Sequence, residues 1–76
     1  MNGRARRETL EVRVDARELQ RVRLAAERDG RASVLRVELM RRPRVRVAIG
    51  LRRAALRSVM DAIMREVETV EFGPVT

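Results

Sequence analysis

Arg52, Arg53 and Arg57 crowd the point where the chain's pattern turns helical, and no other local feature of the sequence is as unexpected. A helix starts with unpaired N–H groups and a partial positive charge, so cations are disfavoured there and anions favoured. Three guanidiniums set against that gradient point to a phosphate or carboxylate landing nearby. The competing structural reading is an ion pair with Glu38 or with the acids of an earlier helix. A second set, Arg36, Arg44 and Arg46, alternates along two extended segments, with Arg41 and Arg42 at the turn between them. Together with Arg13 these share an outward face with Glu11 and Glu38, where arginine either grips phosphate or forms ordinary cross-strand ion pairs. A nucleic-acid reading takes Arg36, Arg41, Arg42, Arg44, Arg46, Arg52, Arg53 and Arg57 as its contacts.

Groups for catalysis are scarce. The 76 residues include no Cys, His, Lys, Trp or Tyr, which removes thiolates, imidazole bases and ligands, and Schiff-base amines. Asp61, Glu66, Glu68 and Glu71 read as a solvated acidic segment, and Ser33 and Ser58 have no base of a suitable type. Gly3, Gly30, Gly50 and Gly73 are too scattered for a phosphate loop. The expectation is a protein without catalytic activity, cofactor or metal.

The net charge of +7 favours anionic partners, nucleic acid first. Its distribution is uneven: residues 31–57 carry nine arginines against Glu38 alone, whereas residues 58–76 are net acidic. A GC-rich genome or a hot, thermophilic habitat accounts equally well for the missing lysine.

The elements that must position these residues follow from periodicity. Residues 9–14 alternate, with Leu10, Val12 and Val14 inward and Glu11 and Arg13 outward, as in a half-buried strand. Asp15 with Glu18 has capping-box spacing, and Gly30 stands where a helix end needs positive φ, so a helix is predicted over 16–29. Its buried stripe is Leu19, Val22 and Ala26, with Leu24 and Ala25 at the margins. Residues 34–40 put Leu35, Val37 and Leu39 inward, and residues 44–50 do the same with Val45, Val47 and Ile49, forming a hairpin. From Leu51 the period becomes helical, with Leu56, Val59, Met60, Ile63 and Val67 on one face. Val70 and Phe72 offer an optional last strand. This is an α+β fold: a two-layer β-α-β-β-α(-β) sandwich with two helices on one face of an antiparallel sheet. Residues 1–8 are expected to be a flexible basic N-terminus, 9–72 a single domain and 73–76 a tail.

A chain this short buries little core, and without disulfides or metals association is a standard remedy. A homodimer is expected, with Met60, Met64, Ala55 and Ala62 suited to an adaptable helix contact. The plainer reading makes the same methionines core. No apolar run approaches a membrane span and none follows the basic start, so an intracellular, cytoplasmic protein without membrane contact is expected.

The run Ala55-Leu56-Arg57-Ser58-Val59-Met60-Asp61-Ala62-Ile63-Met64-Arg65 resembles the signature helix of the Pcc-type small subunits of the KEOPS complex. The likeness covers residues 9–67. It departs at Asp61-Ala62, where the pattern prefers Asn-Ser, and at Arg52 and its neighbours, where an Asp usually precedes the helix; a divergent paralogue fits these departures. The resemblance implies a non-catalytic homodimer or paralogue heterodimer. It would dock on the ATPase-like catalytic KEOPS subunit, which puts threonylcarbamoyl on a tRNA adenosine beside the anticodon. Leu56, Arg57, Met60, Asp61, Met64 and Arg65 would then face the partner, and the basic middle third would face tRNA. The main rival is a ferredoxin-like or ACT-like regulatory domain binding a small anion at a dimer seam, which a fourth strand would permit. A free-standing basic RNA-binding module is the third reading, limited by a single Phe.

Overall fold

The structure is a computed structural model and describes residues 7–76. Strand β1 spans Arg7–Asp15, helix α1 Leu19–Glu27, β2 Ala32–Leu39, β3 Arg44–Arg52, helix α2 Leu56–Glu66 and β4 Glu71–Val75. One-turn 3-10 segments, Ala16–Glu18 and Arg53–Ala55, lead into the two helices. The strands form a single antiparallel sheet in the order β2-β3-β1-β4. The α+β class and the β-α-β-β-α-β order are therefore present with the optional strand included. This is the split βαβ, or ferredoxin-like, plan, in which β3 lies between β2 and β1.

Alternation along the central strands makes the core. Leu10, Val12 and Val14 of β1 and Val45, Val47, Ile49 and Leu51 of β3 are all buried on one face. They meet Val22, Ala25 and Ala26 of α1, Val59 and Ile63 of α2, and Val67. Leu56, Met60 and Phe72 are only partly buried against this cluster.

Local chemistry sets the boundaries. Asp15 caps the first 3-10 turn by accepting from the Arg17 backbone N–H at 2.8 Å, while Glu18 pairs with Arg21 instead of closing a capping box. The α-helix proper consequently starts three residues later than the spacing predicts. Gly30 has φ +68° and ends that helix in the left-handed conformation.

Several expectations are corrected. Arg7 and Glu8 belong to β1, so they are not part of a loose N-terminus; residues 1–6 lie outside the described residues. The expected tail is paired structure: Thr76 donates its N–H to the Thr9 carbonyl at 2.9 Å, beside the β1–β4 ladder. Leu51 and Arg52 complete β3, because they continue its pairing to Arg7 of β1. In α1 it is Ala25 that is fully buried, whereas Leu24 is 56% exposed. Leu35 is not inward either. A register shift between Val34 and Arg36 places its side chain over Gly50, on the face away from the helices.

Candidate functional site

Helix α2 is buried through Val59 and Ile63. Ser58 and Glu66 lie on the α1 side, where Arg31 of the α1–β2 turn donates to Ser58 at 2.6 Å and Arg28, at the end of α1, lies 3.7 Å from Glu66. The opposite flank carries Leu56, Met60 and Met64 at four-residue spacing, so they line one side of the helix. With Arg57 and Asp61 they line an open groove of about 320 Å³. Met64 is 50% exposed there. Five of the six residues expected to face a protein partner thus share one surface. Arg65 does not: it lines a separate cleft on the α1 side, with Arg28 and Glu66.

The residues expected to touch nucleic acid fall in three places. Arg36, Arg44 and Arg46 lie on the outer sheet face, each beside a carboxylate: Arg36 with Glu38 at 3.4 Å, Arg44 with Glu71 at 2.9 Å, Arg46 with Glu11 at 3.8 Å. Glu71 does not stay in a solvated acidic segment; β4 carries it to this face, opposite Arg13. Arg41 and Arg42 sit at the β2–β3 turn, closed by the Arg44 N–H donating to the Arg41 carbonyl at 2.9 Å. Arg52, Arg53 and Arg57 lie at the other end of β3, which nine residues set about 26 Å away.

That far end is the basic end. Arg52 closes β3 and Arg57 enters the α2 groove. Arg53 donates from Nη1 to Glu8 Oε1 at 2.8 Å, so its carboxylate partner is on β1 and is neither Glu38 nor an acid of α1. An open cavity of about 520 Å³, as shallow as the α2 groove, lies beside them, lined by Arg7, Arg31, Arg52 and Ser58. Pattern reasoning missed Arg7 and Arg31, of which Arg7 is the first residue of β1 and Arg31 directly follows Gly30.

A fourth surface is the free edge of β2. Leu39 is 78% exposed and Val37 36%; both pair with buried β3 residues and so lie on the helix side of the sheet, without helix cover. Leu24 of α1, the helix that packs against β2, is also solvent-facing.

Among the described residues no cluster of carboxylates has metal-ligand geometry, and no helix is long and apolar enough to cross a membrane. No family model, curated protein or solved structure matches the chain.

Proposed function

We propose that the protein is a non-catalytic adaptor that self-associates along the edge of β2 and presents the Leu56, Met60 and Met64 groove of α2 to a larger protein. The observation that carries this reading is the placement of two apolar surfaces on opposite flanks of one small domain. Exposed apolar surface costs free energy in water, so two such patches on a domain with little core mark association sites. The resemblance of residues 55–65 to Pcc-type subunits supplies the partner: the ATPase-like catalytic subunit of a KEOPS-like complex that modifies tRNA. Self-association is homotypic or with a paralogue, and the basic end is the part that assists tRNA binding.

The test is recovery of the tagged protein from its host after nuclease treatment, with bound proteins identified by mass spectrometry. Stoichiometric recovery of an ATPase-like tRNA-modifying subunit is expected, with its loss in a Met60→Glu/Met64→Glu variant that still folds. Recovery of a dimer alone, or capture that survives both substitutions, overturns the reading.

A small-anion regulatory domain is the second reading. Strand β4 favours it, since the complete four-stranded plan is the architecture that this alternative requires.

A further inference from the structure

Arg7 and Arg52 are direct partners across the β1–β3 ladder. Like charges set opposite each other in antiparallel strands repel and destabilise the pair. The same ladder contains a second such pair, Arg13 and Arg46, and there Glu11 lies 2.8 Å from one Nε and 3.8 Å from the other. Nothing equivalent serves Arg7 and Arg52 among the described residues. Glu8, the nearest acid in sequence, is taken by Arg53.

A third guanidinium reaches the same cavity. Arg31 is held by Nη1 donating to Ser58 Oγ at 2.6 Å, and Ser58 in turn donates to the Ala55 carbonyl at 3.1 Å. Asp29 stands 3.7 Å from Arg31 Nη2 but is outside the cavity lining. Arg31 Nε is itself buried with no hydrogen-bond acceptor, a cost that the fold carries at this position. The turn into α2 adds further donors: neither Arg52 nor Ala55 provides a side-chain cap, and the first turn holds no acid.

We infer that this cavity is a binding site for the phosphate-monoester group of a small molecule. Guanidinium forks match phosphate oxygens bidentately, and three of them suit the charge of about −1.5 to −2 on a monoester better than the single charge of a carboxylate. The volume of about 520 Å³ leaves room for an attached organic group of metabolite size. A bound phosphate would stand between Arg7 and Arg52 as Glu11 stands between Arg13 and Arg46. This site is separate from the α2 groove; it lies within one chain, so it would give the regulatory reading an anion site without the dimer seam expected for it.

The experiment is calorimetric titration of the full chain with glycerol 3-phosphate, inorganic phosphate and glycerol at fixed ionic strength, repeated with Arg52→Gln. Saturable binding of glycerol 3-phosphate is expected, tighter than inorganic phosphate, with none for glycerol. Arg52→Gln is expected to weaken binding at least about tenfold, the factor that corresponds to 1.4 kcal/mol. Its melting temperature in chloride is expected not to fall, because the substitution also relieves the repulsion with Arg7. Equal affinity for inorganic phosphate assigns the cavity to the free ion and overturns the monoester assignment. Binding that survives Arg52→Gln, or that sodium chloride reproduces, overturns the site altogether. Arg7→Gln is read the same way if the first variant fails to fold.

Discussion

Arg13 and Arg46 face each other across the β1–β3 ladder with Glu11 between them, 2.8 Å from Arg13 Nε and 3.8 Å from Arg46 Nε. Glu71 flanks Arg13 and Glu38 flanks Arg46, each at 3.9 Å, so the outer face of the sheet is a lattice of alternating charge. Partly exposed pairs are individually weak, but removing Glu11 also exposes the two arginines to each other. Glu11→Gln is expected to cost about 1 kcal/mol, or roughly 4–8 °C in melting temperature for a domain of this size. The difference should shrink in about 0.5 M salt, where such interactions are screened. Equal melting of both proteins at low salt would show that the lattice contributes nothing.

The core is less forgiving. Ile63 is fully buried beneath α2, so Ile63→Val should cost about 0.5–1.5 kcal/mol and Ile63→Ala about 2–5 kcal/mol. Small domains are stabilised by only about 0.05–0.15 kcal/mol per residue, so the alanine variant should lose a large share of the total and melt well below the valine variant. Circular dichroism melts of the two variants check this. Similar melting of both would mean that the site collapses to fill the cavity.

Much of this is legible in the sequence because the informative residues lie on strands whose two faces differ in polarity. Leu10, Val12 and Val14, and Val45, Val47 and Ile49, are inward as alternation requires. Alternation fails in β2 at Leu35, since a bulge breaks the two-residue period between the residues on either side of it and no residue type announces the extra position. The α2 groove is legible as a helical stripe. The basic cavity is only half legible: Arg52 stands out locally, but Arg7 and Arg31 join it through strand pairing and through an α1–α2 approach that periodicity does not encode.

Acid should weaken the entry to α1 first. The Arg17 side chain, then its backbone N–H, hydrogen-bonds Asp15 and holds its carboxyl below the ordinary 3.8. A folded-state value below the unfolded one means that the interaction stabilises fully above pH 3.8 and disappears as pH falls through the lower folded value. Arg17 is exposed and Asp15 only partly covered, so the effect is modest and salt-sensitive. Asp15→Asn keeps a capping oxygen but cannot titrate. Melting temperature should therefore fall less between about pH 5 and pH 2.5 in Asp15→Asn than in the unmodified protein, and identical slopes would exclude this pair as an acid-sensitive element.

If tRNA binds at the basic end, as proposed, that binding has a salt signature. Each phosphate-neutralising arginine removed should reduce the slope of log affinity against log salt by about 0.7–0.9. Arg52→Ala/Arg57→Ala is the informative pair, because Arg53 is tied to Glu8 and its removal would disturb β1 as well. Filter binding of tRNA between about 50 and 200 mM salt should show weaker binding and a flatter slope. An unchanged slope removes RNA from the basic end. In that case Arg41→Ala/Arg42→Ala would test the β2–β3 turn, at the opposite end of β3, as the place where RNA lands.

Self-association along β2 carries the most specific geometric expectation. A sheet edge with free N–H and C=O groups pairs readily with an identical edge, and a two-fold axis makes that pairing antiparallel. If the axis passes at Val37, each Val37 meets its own copy, and each Arg36 lies opposite the partner's Glu38. The edge is thus complementary in charge to itself, and Leu39 and Leu24 beside it are exposed apolar side chains. Arg36→Glu would place glutamates opposite each other at two symmetric positions. Within the chain Arg36 stands opposite Ala48, so no like charge faces it on β3, although the substitution also replaces the Arg36–Glu38 ion pair along β2 by a repulsion. Sedimentation at micromolar concentration should give a dimer for the unmodified protein and a monomer with an unchanged circular dichroism spectrum for Arg36→Glu. A dimer that tolerates Arg36→Glu but dissociates on Met60→Glu/Met64→Glu would move self-association to α2, and the groove would then be closed to any other protein.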